Sequence, residues 1–172
     1  MRFPRVTGYT RLDKLNILTT GGTIDKIYYD DKSDYKIGAP EIGRILEAMN
    51  VAFLWEVRAL LRKDSLHMTD DDRRLIRQAV LTSDDQHYLI THGTDTMTDT
   101  AAMLQETGNR VIVMTGALHP ARFIDSDAVF NIGCAIGAVQ TLPPGVWIVM
   151  NGRVWNPTQV RKNRSANRFE AC

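Results

Sequence analysis

Leu18-Thr19-Thr20-Gly21-Gly22-Thr23-Ile24 completes a short apolar run, Leu15, Ile17 and Leu18, which itself follows a basic, polar leader. A run of this kind reads as a buried strand, here residues 14–19, that passes straight into a tight turn. The paired glycines let backbone approach backbone, or a ligand, with no side chain between. Thr23 then stands just beyond the carboxyl end of the strand, where open α/β sheets place their ligands. Alone, the stretch reads most simply as a strand and a turn, with Thr23 hydrogen-bonded to its own backbone. A second stretch reverses that balance. In His87-Tyr88-Leu89-Ile90-Thr91-His92-Gly93-Thr94-Asp95-Thr96 an apolar strand again ends in glycine followed by threonine, with a carboxylate next. Two such strand ends can face each other across one crevice. They would set a hydroxyl nucleophile and a hydroxyl relay beside a carboxylate able to hold an amine.

The surrounding pattern alternates strand and helix. Pro40 opens a helix over Glu41 to Met49, where its missing N–H costs nothing. Val51 to Leu61 reads as a strand. Thr69 and Asp72 form a capping-box-like start for a helix through Leu81, with Leu75, Ile76, Ala79 and Val80 turned inward. Tyr88 to Ile90 is the next strand, and Thr98 to Glu106 a helix that hides Ala101, Ala102 and Leu104 and stops at Gly108-Asn109. Val111 to Met114 is apolar throughout, as a strand covered on both faces must be. Ala128 to Gln140 is a helix with a stripe of Val129, Ile132, Ile136 and Val139, in which Gly133 and Gly137 permit close approach to a neighbour. Val146 to Met150 is the last core strand, and Asn151-Gly152 a tight turn. Between Asp25 and Gly38 the sequence is charged and aromatic with no helical period, and reads as a long loop, either a functional lid or a disordered or solvated surface excursion. This order predicts an α/β domain, a three-layer flavodoxin-like arrangement with a largely parallel sheet. Residues 1–13 are expected to be a leader, 14–165 the domain and 166–172 a tail.

Bulk composition excludes several classes. The chain has 172 residues, 44% hydrophobic and 24% charged, with a net charge of +1. That suits one soluble domain with its own core. Near-neutral charge gives no field for nucleic acid or an anionic membrane. No apolar run approaches the ~20 residues of a membrane span. The first residues lack the apolar middle of a signal peptide, so a cytoplasmic location is expected. Cys134 falls in an apolar helical pattern and reads as a core residue, while Cys172 is terminal, so neither a disulfide nor a metal site is expected from them. Arg161, Arg164 and Arg168 read as solvated charges near the end of the chain. The Gly-Gly-Thr turn lacks the spacing of a phosphate loop.

The two signature stretches, in this order and at this separation, resemble the bacterial-type L-asparaginase family, whose marks are Thr-Gly-Gly-Thr-Ile and Thr-His-Gly-Thr-Asp-Thr. The resemblance runs from about Lys14 to about Ser165 and covers the family's amino-terminal domain, without the smaller carboxyl-terminal one. It implies an enzyme that hydrolyses L-asparagine to aspartate and ammonia with no metal and no cofactor. It implies roles as well. Thr23 is the nucleophile, and Tyr35, in Ser33-Asp34-Tyr35-Lys36-Ile37-Gly38, is the tyrosine of the active-site loop, with Tyr29 a weaker candidate. Ser65 holds the substrate α-carboxylate and Asp64 shapes the pocket. Thr94, Asp95 and Lys162 form the relay, with Asp95 also meeting the α-ammonium. Backbone N–H groups near Gly22, Thr23, Gly93 and Thr94 serve the oxyanion. Thr115 to Pro120 resembles the family's third loop, in which His119 takes a structural role. Leu66 departs from the pattern, because many members have glutamine there.

A threonine hydroxyl needs a base to take its proton. An ordinary lysine, with a pKa of about 10.4, is neutral in only about one molecule in 2,500 at pH 7, so an alkaline optimum is expected. Tyr35 is the alternative activator. The carboxyl-terminal domain of a neighbouring subunit gives family members an acidic residue that this sequence does not hold. Asp30 or Asp34 are candidates to replace it, and a raised KM for asparagine is expected. Self-association, first as a dimer, is expected to cover the exposed surface. Rival readings are a glutaminase or other amidohydrolase, a relative of the asparaginase-like component of tRNA-dependent amidotransferases, and an amino-acid sensor without turnover.

Overall fold

A computed structural model describes residues 12–29 and 34–172. Its centre is a six-stranded sheet in the order β4-β1-β5-β6-β7-β8. These strands are β1 (Lys14–Gly21), β4 (Leu54–Lys63), β5 (His87–Thr91), β6 (Val111–Thr115), β7 (Gly145–Met150) and β8 (Arg153–Trp155). The first five are parallel, and β8 returns antiparallel to β7. Asn151 and Gly152 make that return with φ of 54° and 72°, the left-handed pair that a two-residue hairpin turn requires.

The helices divide between the two faces. The helices α1 (Ile42–Ala48) and α4 (Ala128–Val139) share one core with Leu15, Ile17, Leu89, Val111, Val113 and Val149. On the other face α2 (Asp70–Leu81) and α3 (Met97–Met103) pack with Leu18, Tyr88, Ile90, Ile112, Met114 and Ile148. Successive strand residues alternate between the two cores, which is the period of two that a strand imposes. The three-layer α/β arrangement expected from the sequence is the one the chain adopts. The capping box is also present. Thr69 Oγ1 accepts from Asp72 N at 3.3 Å and Asp72 Oδ2 accepts from Thr69 N at 2.8 Å.

Several local expectations differ. The stretch from Asp25 to Gly38 is no open loop: β2 (Lys26–Tyr29) and β3 (Asp34–Ile37) pair antiparallel as a separate hairpin. Asp30 lies outside the described residues, as does the leader up to residue 11. Leu12, counted with that leader, is buried in the first core. Leu75, Ala102 and Val129 face solvent rather than the core. On α4 the buried stripe is Ala128, Ile132, Ala135 and Val139, and nothing lies within 4 Å of where a Cβ would stand on Gly133 or Gly137. No described residue therefore makes use of the close approach those glycines permit. The expected tail carries a strand. There β10 (Arg168–Ala171) pairs with β9 (Val160–Asn163), Phe169 is buried, and Cys172 N donates to Gln159 O at 3.1 Å.

Candidate active site

The strand order places a switch point between β1 and β5. The chain leaves β1 toward β4 on one side and later continues from β5 toward β6 on the other. Connections diverge there, and the carboxyl ends of strands at such a point are where open α/β sheets hold their ligands. Thr19, Thr91 and Thr115 lie side by side in register across β1, β5 and β6. Beyond each, the chain reaches glycine within two residues.

Gly21 and Gly22 have φ of 94° and 89°. A Cβ on Gly22 would stand 2.5 Å from both Cα and N of Gly93, and one on Gly93 would stand 2.6 Å from Ser65 Oγ. The two signature turns therefore meet through bare backbone, with Ser65 against the second. Gly22 N also donates to Lys63 O at 3.0 Å, which ties in the end of β4. Thr23 and Thr94 each follow one of the touching glycines. Thr23 is half-buried at the head of a single 3-10 turn, and Thr94 is buried.

Lys162 reaches this point from β9, outside the main sheet. Its Nζ donates to Thr94 Oγ1 at 2.7 Å and to Asp95 Oδ1 at 2.9 Å. Arg164, two residues on, brings Nε to 3.3 Å from the same Asp95 oxygen. It is thus no purely solvated charge, as the sequence suggests. Arg164 stands in the turn just past β9, so no strand period marks it in the sequence.

Ser65 is 1% exposed, and its Oγ has no hydrogen-bond partner among the described residues. An unpaired buried hydroxyl costs roughly 1–3 kcal/mol, a deficit that a bound acceptor removes. Asp64 accepts from Leu66 N at 3.1 Å and pairs with Lys26 Nζ at 2.9 Å. Partial burial works against its charge, but the Lys26 ammonium and the Leu66 N–H outweigh that and hold it below the usual carboxylate range. Tyr35 is 46% exposed. Its ring lies 5.7 Å from Tyr28 and 6.2 Å from Phe123. Tyr29 and Asp34 are ladder partners in the same hairpin.

His92 has a role that the sequence does not reveal. It is fully buried, with Nδ1 2.7 Å from Gly93 O and Nε2 2.8 Å from Thr100 Oγ1. Burial pushes its pKa down to about 4. The ring is neutral at pH 7, and the pairing fits an Nδ1–H that donates to Gly93 while Nε2 accepts from Thr100. The third loop is fixed by Asp127, whose carboxylate accepts from Leu118 N at 2.9 Å and His119 N at 3.0 Å. Asn131 Nδ2 donates to Gly116 O at 3.1 Å. No cluster of three or more His, Cys, Asp or Glu among the described residues is arranged to hold a metal ion. No helix among them is long and apolar enough to cross a membrane.

Comparison with known proteins agrees with this fold. L-asparaginase 2 of Escherichia coli (strain K12) is 29% identical over 170 residues, which cover 91% of this chain and 48% of that protein. A glutamyl-tRNA(Gln) amidotransferase component of Methanococcus maripaludis (strain C6 / ATCC BAA-1332) is 29% identical over 178 residues, covering 92% of this chain and 41% of that one. Among solved structures, the thermostable L-asparaginase from Thermococcus kodakarensis superposes with a TM-score of 0.82 at 27% identity, over 92% of this chain and 51% of that one. A probable cytoplasmic L-asparaginase from Campylobacter jejuni gives 0.79 at 26% identity, over 92% and 53%. The chain thus spans about half the length of the proteins it matches. The family model described as "Asparaginase, N-terminal" matches residues 14–171, from the first residue of β1 to the last of β10, and the chain belongs to that family.

Proposed function

We propose that the chain hydrolyses a small carboxamide, L-asparagine first, to the carboxylate and ammonia. One observation carries the reading. Lys162, from a strand outside the main sheet, places its ammonium on both Thr94 and Asp95, beside the glycine contact that joins the two signature turns.

In this reading the Thr23 hydroxyl attacks the carbon of the substrate amide. Its proton passes through Thr94 to Lys162 in the amine form, or to Tyr35. The new oxyanion is met by backbone N–H groups of the two glycine turns, aimed where charge develops. The amide nitrogen takes back the proton that Thr23 gave up, the C–N bond breaks, ammonia leaves, and an ester on Thr23 remains. Water attacks that ester, its C–O bond to Thr23 breaks, and aspartate departs. Lys162 and Arg164 both meet Asp95 through Oδ1, and Oδ2 is the oxygen for the substrate ammonium. The unpaired hydroxyl of Ser65 suits the α-carboxylate, and Asp64, held by Lys26, shapes the wall behind it.

A second reading, hydrolysis of glutamine or a larger amide, draws on Leu66. It stands exposed next to Ser65, where the family pattern has a polar residue. The similarity to an amidotransferase component also favours it. Ammonia release from L-asparagine and L-glutamine, side by side, decides between them. Release from asparagine should exceed that from glutamine and vanish in Thr23→Ala. Equal release from both would favour the second reading. Asparagine that binds without turnover would sink both in favour of a sensor.

A further inference from the structure

The connection that follows β6 does more than end the third loop. Three consecutive residues of it grip three parts of the β2–β3 hairpin region. Ala121 N donates to Ile24 O at 3.1 Å, just before the hairpin begins. Arg122 Nε donates to Glu41 Oε1 at 2.6 Å, just after it ends. The Phe123 ring lies 6.2 Å from that of Tyr35, tilted by 56°, on the hairpin itself. The hairpin's base is closed independently, with Gly38 N donating to Asp25 O at 2.7 Å and Glu41 N to Asp25 Oδ1 at 2.9 Å. Glu41 is buried, and its second oxygen accepts from Arg44. The gripping segment is anchored in turn, since Asp127 holds the backbone N–H groups of Leu118 and His119.

Phe123 is 44% exposed, so its ring adds little to the core. Its described aromatic neighbour is Tyr35, which in turn stacks edge-on against Tyr28. A two-stranded hairpin outside the main sheet has little stability of its own. Contacts beyond its own ladder must help hold it, and among the described residues, 121–123 supply three of them, beside the ion pair of Lys26 with Asp64.

We propose that residues 121–123 are a strap on the hairpin, and that Phe123 is a positioning residue that sets the Tyr35 ring. The proposal rests on the reading of Tyr35 as part of the active site. Phe123 touches no reacting atom; it acts on the chemistry through Tyr35 alone.

Hydrogen exchange by mass spectrometry on the full chain tests the strap without reference to activity. In Phe123→Ala, amides of 34–37 should exchange about three- to tenfold faster, the scale of one lost aromatic pair, while β1 and β5 amides keep their protection. Unchanged exchange over 34–37 would overturn the strap, as would equal acceleration everywhere. Kinetics with L-asparagine test the positioning role. Phe123→Ala should lower kcat by a similar factor with KM nearly unchanged, and should add nothing in a Tyr35→Ala background. Additive losses would overturn the assignment to Tyr35. A wild-type chain that releases no ammonia refutes the functional reading instead, and the exchange experiment still judges the strap.

Discussion

Gly22 shows how one missing side chain lets the two signature turns meet. Its φ of 89° lies where residues with a Cβ are strained, and that Cβ would sit 2.5 Å from two backbone atoms of Gly93. Neither partner is a flexible side-chain end, so the contact can be relieved only by moving a strand terminus. Strain of about 1–2 kcal/mol from the dihedral adds to about 1–3 kcal/mol from overpacking. Gly22→Ala should therefore lose about 2–5 kcal/mol in thermal unfolding. It should also lose ammonia release by about a hundredfold, since a displacement near 1 Å is enough for that. Gly133→Ala is the matched control. No atom lies within 4 Å of its Cβ position, and in a helix the exchange gains up to about 1 kcal/mol with activity untouched.

The β9–β10 ribbon is the element that delivers Lys162. Its ladder is formed between its own two strands, from Arg168↔Asn163 to Ala171↔Val160. Phe169 fixes it to the second core, and Phe169 N donates to Asn151 Oδ1 at 3.1 Å. Truncating a buried phenylalanine costs about 3–5 kcal/mol. In Phe169→Ala the amides of 160–163 should lose far more protection from hydrogen exchange than those of 111–115, and ammonia release should fall at least about tenfold. Equal loss across both segments would mean that the ribbon and sheet unfold as one. The same ribbon marks the limit of what the sequence discloses. The core strands are legible because strands buried on both faces are continuously apolar. Arg168-Phe169-Glu170-Ala171 has one anchor and no period to detect, so it reads as a tail. The β2–β3 hairpin is hidden for a related reason: Tyr28 and Tyr35 are exposed, so no alternation of buried and exposed residues marks its strands. On α2 and α4 the apolar stripe is visible but reads one position too wide, to Leu75 and Val129. In the candidate site, Thr23, Thr94 and Asp95 follow from paired Gly-Thr strand ends. Lys162 comes only by family resemblance, because its partner Thr94 is 68 residues away and no local pattern encodes that distance. His92 looks like part of a motif, and only burial reveals its bond to Gly93.

At the scale of the whole molecule, two buried titratable groups with opposite shifts stand just beyond the carboxyl ends of neighbouring strands, Asp25 after β1 and His92 after β5. Asp25 is buried beside Glu41 at the base of the hairpin, and burial raises its pKa from 3.8 to about 6 against the opposing hydrogen bond from Glu41 N. His92, buried on β5's exit, is lowered from 6.5 to about 4. The signs are opposite. A raised carboxyl contributes stability that is present below pH 3.8 and is lost as pH rises through about 6. A depressed histidine contributes stability that is present above pH 6.5 and is lost as pH falls through about 4. Each amounts to roughly 3 kcal/mol by linkage, so between pH 4 and 6.5 the two largely offset one another. Asp25→Asn keeps an acceptor for Glu41 N but removes the titration. Its stability should therefore fall more steeply than that of the wild type as pH drops from 6.5 to 4. Groups that do not face Asp25 act equally in both proteins, so the difference between the two curves reports Asp25 together with its coupling to Glu41. Thermal unfolding at half-unit steps of pH reads it directly. Parallel curves would mean that Asp25 is ionised through the whole range, and that the carboxylate, not the acid, is the form the hairpin base is built to hold.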